Sequence, residues 1–186
     1  EEVIRIASCP AYREYEGQML KDIAKAQDVD ITDLVRDILT APRGADTICI
    51  QFIIDEQDVE HNLRWRDMMV GSDGIPNLRG KPHPRLYGTF AKILGYYVRE
   101  RALMSLPEAI RRMTSLPAAT FGMTQRGMVR AGFKADLLLF DPATVQDTAT
   151  YDEPQQLAAG IRTVLVNGKI AWQDGQHQMQ GSGQML

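Results

Sequence analysis

Apolar positions in the first part of the chain switch between two periods. Val3-Ile4-Arg5-Ile6-Ala7-Ser8 has the short apolar spacing of a strand. Over residues 18–26, Met19, Leu20, Ile23 and Ala24 recur at helical intervals, and over 32–39 Leu34, Val35, Ile38 and Leu39 repeat the pattern. Asp30 or Thr32 can cap the second helix, and Pro42 with Gly44 closes it. Residues 47–54 make the strongest strand pattern, apolar on both faces, as a strand buried inside a parallel sheet should be. Asp55, Glu56 and Asp58 then open a short helix reaching about Leu63, where carboxylates suit the positive end of the helix dipole. A third apolar run, Met68-Met69-Val70, stops at Gly71-Ser72-Asp73-Gly74. Strand, helices, strand, helix, strand in that order predicts βαβ units and parallel pairing.

The middle of the chain reads differently. Residues 77–84, Asn-Leu-Arg-Gly-Lys-Pro-His-Pro, form a polar loop with two prolines and a glycine. Phe90, Ile93, Leu94, Tyr97 and Val98 mark an amphipathic helix over 88–101. Ser105 and Glu108 form a capping box with Pro107 in the first turn, and the helix carries Ala109, Ile110 and Met113 until Pro117 interrupts it. Near Gly122 the composition shifts to short β runs punctuated by glycine. Residues 135–140 form one run, ended by Asp141-Pro142. Val164-Leu165-Val166 and Lys169-Ile170-Ala171-Trp172, joined by Asn167-Gly168, predict a hairpin. The tail from His177 is expected to fray. There is no internal repeat and no low-complexity segment.

The candidate chemistry sits where the third run ends. An apolar run that stops at Gly-Ser-Asp-Gly is read as the C-terminal end of an inner strand, which leaves the Asp73 carboxylate at the rim where α/β enzymes keep their catalytic groups. The alternative is a turn in which Asp73 caps its own backbone. Arg85, at the end of the polar loop, can overhang the same rim, where a planar guanidinium suits bidentate binding of a carboxylate. Its alternative is a surface arginine pairing with a local acid. His83, between two prolines, reads as a loop-packing residue, and Asp55, Glu56 and Asp58 read as capping groups.

Composition bounds the rest. With 186 residues, the chain can hold one domain or slightly more, and it is too short for a complete eight-stranded α/β barrel, which needs about 250. Residues are 44% hydrophobic and 24% charged, as in an ordinary globular protein. A net charge of -3 gives no electrostatic reason to bind nucleic acid or an anionic membrane, and no apolar run approaches the roughly 20 residues of a membrane helix. The opening Glu-Glu-Val-Ile-Arg-Ile is not a signal peptide. A chain that opens inside a strand suggests a piece of something larger. Cys9 and Cys49 each lie in or beside a strand-like run and read as unpaired core thiols, so a reducing, cytoplasmic setting is expected. His61, His83 and His177 are far apart in sequence and compose no self-contained zinc motif.

Five strings occur in order: Gly71-Ser-Asp-Gly74; His83-Pro-Arg85; Thr114-Ser-Leu-Pro-Ala-Ala119 with Gly122; Gly132-Phe-Lys-Ala-Asp-Leu137 running into Leu-Leu-Phe-Asp141-Pro142; and Val166-Asn-Gly168. Together they resemble the C-terminal part of a metal-dependent amidohydrolase, and within that superfamily the D-aminoacylases, the N-acyl-D-amino-acid deacylases. The resemblance covers nearly the whole chain and is firmest over residues 71–175. It implies an α/β fold: the C-terminal part of a (β/α)8 barrel over residues 1–121 and a small β-sandwich segment over 122–186. It implies hydrolysis of the amide bond of N-acyl-D-amino acids. Asp73 matches the acid that ends the eighth barrel strand, which in the family takes a proton from the metal-bound water and passes it to the leaving amine. Arg85 matches the arginine that holds the α-carboxylate of the substrate.

The chain departs from the family in one respect that matters. The histidines and the cysteine or modified lysine that bind the metal lie on earlier barrel strands, so zinc is expected only in the full-length enzyme, with ligands outside this chain. The chain by itself should be inactive. Its partners are then a small-molecule N-acyl-D-amino acid and either the missing N-terminal barrel portion or a second copy, since an exposed sheet edge invites pairing. Two alternatives stay open: an amidohydrolase acting on cyclic amides, of the dihydroorotase or hydantoinase kind, and a non-catalytic assembly module.

Overall fold

The computed structural model describes residues 3–76, 79–178 and 181–185. The acidic opening at Glu1 and Glu2, the start of the polar loop at Asn77 and Leu78, and the tail positions Met179, Gln180 and Leu186 lie outside the described residues. The chain forms two compact units. One is built from the described parts of Glu1–Asp58, Asp73–Tyr87 and Ala149–Gln156, the other from those of Val59–Ser72, Gly88–Thr148 and Leu157–Leu186.

In the first unit, strands β1 (Ile4–Ser8) and β2 (Ile48–Gln51) are joined through helices α1 (Leu20–Gln27) and α2 (Ile31–Thr40). Leu20, Ile23, Leu34 and Ile38 bury the apolar faces of the two helices against Ile6, Cys9 and Tyr15. Asp30 is the cap of α2, its carboxylate accepting from the Thr32 amide at 2.8 Å. The strands are antiparallel, with Ile4 opposite Gln51 and Ile6 opposite Cys49, which corrects the expected parallel pairing. A single crossover helix reverses the chain twice and returns it parallel, but the connection, already read as two helices, is longer. Two successive helices reverse it three times.

The predicted run over 47–54 is also shorter than expected and buried on one side only. Ile50 is buried, whereas Cys49 is exposed, and Ile53 and Ile54 are 68% and 71% exposed beyond the strand end. Among the described residues β2 pairs only with β1, at the edge of a two-stranded sheet. Cys49 is therefore not the core thiol its setting predicted, while Cys9 is. Residues 79–84 run beside β1, where the Lys81 amide donates to the Ala7 carbonyl at 2.7 Å. Gly80 makes this approach possible: its φ is +70, and a Cβ there would lie 2.4 Å from the same carbonyl.

Helix α3 (Glu56–Arg64) starts as predicted from an acidic cap, with the Gln57 amide donating to Asp55 Oδ1 at 2.7 Å. Helix α4 (Arg85–Lys92) begins three residues earlier than the apolar pattern indicated and continues as a π-helix over Ile93–Glu100. Arg85 is thus the first residue of a helix rather than the last of a loop.

The core of the second unit joins Leu63, Ala91, Ile93, Leu94, Tyr97, Ala109 and Val145. Helix α5 (Leu106–Met113) is capped by Ser105, which accepts from the Glu108 amide. Pro117 does not end a helix but lies in the first turn of α6 (Ser115–Thr120), where its missing N–H costs nothing. Met68 and Val70, predicted as the last inner strand, join no ladder among the described residues. They pack on this core, and the Val70 amide donates to the Arg112 carbonyl at 3.2 Å. Strands β3 (Leu137–Phe140), β4 (Ile161–Val166), β5 (Lys169–Gln173) and β6 (Gln176–His177) form an antiparallel sheet in that order. Val166 faces Lys169 across the predicted hairpin, and Asn167 and Gly168 have φ of +50 and +78, the double left-handed geometry of a type I′ turn.

Candidate functional site

The structure brings Asp73 and Arg85 together in the first unit. Arg85 Nη2 donates to Asp73 Oδ2 at 2.8 Å. The Asp73 side chain is 85% exposed and that of Arg85 38%, so this pair faces water rather than the core. The backbone turns at Asp73 with φ +46, a left-handed conformation that aspartate adopts more readily than most residues. The Asp73 carboxylate meets the guanidinium twelve residues on.

Arg85 is held by its surroundings. Its backbone N–H donates to His83 Nδ1 at 3.0 Å, a side-chain cap on the first turn of α4. Because Nδ1 accepts, the neutral imidazole carries its proton on Nε2, which points at the Tyr151 hydroxyl 3.2 Å away. The rings of His83 and Tyr151 meet edge-on at 5.2 Å, and Phe52 packs edge-on against Tyr151 at 4.9 Å. Burial pushes the Tyr151 phenol above its ordinary pKa, with Arg85 and Arg5 pulling the other way, so it stays protonated at neutral pH. The His83 packing role was legible from its two flanking prolines. Tyr151 was not: it lies 68 residues away in a stretch with no periodicity.

A cleft of about 60 Å³ opens beside this arrangement, lined by Cys49, Ile50, Ile75, His83, Arg85 and Leu86 among others. It presents apolar side chains with one guanidinium at the wall, a lining suited to a small, partly apolar anion. Asp55 stays with its helix as a cap. Among the described residues no group of three or more His, Cys, Asp or Glu side chains is placed to hold a metal ion.

A sequence profile described as the amidohydrolase family matches residues 63–171, more than half of the chain. The chain belongs to the amidohydrolase family. Among amidohydrolases it is similar to a D-aminoacylase of Alcaligenes xylosoxydans xylosoxydans, with 42% identity over 97% of this chain and 36% of that protein. It is also similar to an N-acyl-D-aspartate deacylase of the same organism, with 46% identity over 78% of this chain and 28% of that one. The crystal structure of an N-acyl-D-glutamate deacylase from Bordetella bronchiseptica, complexed with zinc and a phosphonate inhibitor, superposes with a TM-score of 0.86 at 43% identity. That match covers 94% of this chain and 35% of the other. The chain therefore spans about a third of the length of the amidohydrolases it matches. Its α/β fold, with open sheets, is that of the C-terminal part of such a barrel enzyme together with a β-sandwich segment.

Proposed function

We propose that this chain is the part of an N-acyl-D-amino-acid deacylase that carries the proton-transfer acid and the substrate-carboxylate clamp. The observation that carries it is the 2.8 Å Asp73–Arg85 pair beside an apolar cleft, in a chain similar to D-aminoacylase and N-acyl-D-aspartate deacylase. Asp73 has the exposure a proton carrier needs: it accepts a proton from the attacking water and hands it to the departing amine. Arg85 holds Asp73 through Nη2, and a planar guanidinium of this kind suits a paired contact with the α-carboxylate of a substrate. His83 and Tyr151 hold the base of that clamp.

The deacylase chemistry implies zinc, which polarises the scissile carbonyl and activates water when bound. The described residues do not compose a site for it, so we place its ligands in the remainder of the full-length enzyme. The β3–β6 sheet supports assigning residues 122–186 to the sandwich segment, with residues 1–121 contributing to the barrel. The test is hydrolysis of N-acetyl-D-amino acids, their L counterparts and dihydroorotate by the full-length protein and by this chain alone. Turnover of the D substrates by the full-length protein and none by the chain alone is the expected result. Full activity in the 186-residue chain, or turnover of the cyclic amide only, would overturn the proposal.

A further inference from the structure

We propose that Tyr151 is a positioning residue for the carboxylate clamp, acting on Arg85 through His83; this rests on the deacylase proposal above. The relay is a chain of two contacts. His83 Nδ1 accepts the Arg85 backbone N–H at 3.0 Å, and the opposite ring nitrogen meets the Tyr151 hydroxyl at 3.2 Å. An imidazole held at one nitrogen only can rotate about its ring bond. Held at both, it fixes the ring plane, the tautomer and hence the acceptor that starts helix α4 at Arg85.

Tyr151 is itself fixed by elements from elsewhere in the same unit. Phe52, just past β2, packs edge-on against its ring. The neighbouring Asp152 is tied to Arg5 of β1 at 2.6 Å, and the Thr150 hydroxyl accepts from the Glu153 amide at 2.9 Å. The bond from Asp152 to Arg5 ties this segment to β1, the Thr150–Glu153 bond closes the turn around Tyr151, and Phe52 holds the ring, which together orient the phenol toward His83. Asp73 bonds to the guanidinium, and Tyr151 secures the backbone from which that guanidinium extends.

The experiment uses the full-length enzyme with N-acetyl-D-leucine as substrate. Tyr151→Phe keeps the ring and removes one hydroxyl. It should raise KM about fivefold, the loss of roughly one net hydrogen bond, while kcat stays within about twofold. His83→Asn provides the second variant. Its carboxamide oxygen can accept the Arg85 amide by itself, as Asn side chains do two residues ahead of an amide. In that background Tyr151→Phe should therefore change KM no further. An unchanged KM in Tyr151→Phe, a kcat that falls along with it, or a multiplied effect in the double variant overturns the relay. The two levels of proposal separate cleanly. If Arg85→Lys leaves KM unchanged, the clamp itself fails. If Arg85→Lys raises KM and Tyr151→Phe does not, only the relay fails.

Discussion

Each unit of this protein sets an arginine against a carboxylate at nearly the same distance, and the two pairs sit in opposite environments. In the second unit Arg112 donates to Glu108 at 2.6 Å and, with its Nη1, to the Leu63 carbonyl at 2.5 Å, and its side chain is only 6% exposed. Arg111 binds the same carboxylate at 2.8 Å from the outside. In the first unit the Arg85–Asp73 pair joins a turn to a helix start, and its carboxylate is almost fully in water. A guanidinium taken out of water must have every donor answered by the protein, so the Arg112 group locks α5 to the end of α3 and leaves no room for a ligand. An exposed pair gains little stability from its attraction, and its partners can exchange with solvent or substrate. The two pairs share nearly the same distance and differ in solvation, and the role proposed for Asp73 and Arg85 draws on that exposure.

The comparison can be broken most severely at the acid. In the full-length enzyme, Asp73→Asn should lower kcat for an N-acetyl-D-amino acid by about a thousandfold or more, the range for a lost proton carrier, with no measurable change in melting temperature. An equal loss of stability would place Asp73 with Glu108 rather than apart from it. Next in size, Arg112→Ala should lower the unfolding free energy by about 2 to 3 kcal/mol in a denaturant titration, since it strands the Leu63 carbonyl and opens a hole. Arg85→Lys should be smaller and of another kind. KM should rise about tenfold with the fold intact, because an ammonium cannot make a paired contact to a carboxylate.

The weakest effect is a pH dependence confined to the second unit. Hydrogen bonds from Arg111 and Arg112 hold the Glu108 carboxyl down at about 2, below its ordinary value of 4.5. A depressed carboxylate contributes stability that is fully present above its unfolded-state pKa and fades as pH falls toward the folded one. Acid titration of stability should therefore show a loss between about pH 4.5 and pH 2 that Glu108→Gln removes. A slope unchanged in that variant would assign the loss to other acids.

Some of this was readable from residue order because the cause is local. Asn167-Gly168 makes its type I′ turn through its own φ angles, Asp30 and Asp55 cap the helices that follow them, and the spacing in α1 matches the face it buries, whereas Leu39 of α2 and Ile110 of α5 stay exposed and Arg112 takes a buried place on α5. The ordered strings that resemble the deacylases pointed to Asp73 and Arg85, and the fold places both side chains in contact. The expectations that changed depended on neighbours rather than on nearby residues. Met68-Met69-Val70 has the composition of a strand, yet a strand exists only where another offers a ladder, and here Arg112 takes the Val70 amide instead. The run over 47–54 could not disclose that only one of its faces would be covered.

Resemblance to the deacylases singled out Asp73 and Arg85, whereas local chemistry along the chain determined the helices, the caps and the hairpin. Those features follow from dihedral preferences and hydrogen bonds spanning a few residues, so residue order is enough to specify them. Tertiary structure alone decided the antiparallel direction of β1 and β2, the burial that separates Arg112 from Arg85, and the meeting of Tyr151 with His83. Each of these requires two segments distant in sequence to occupy adjacent space. No spacing within either segment records which partner it will find.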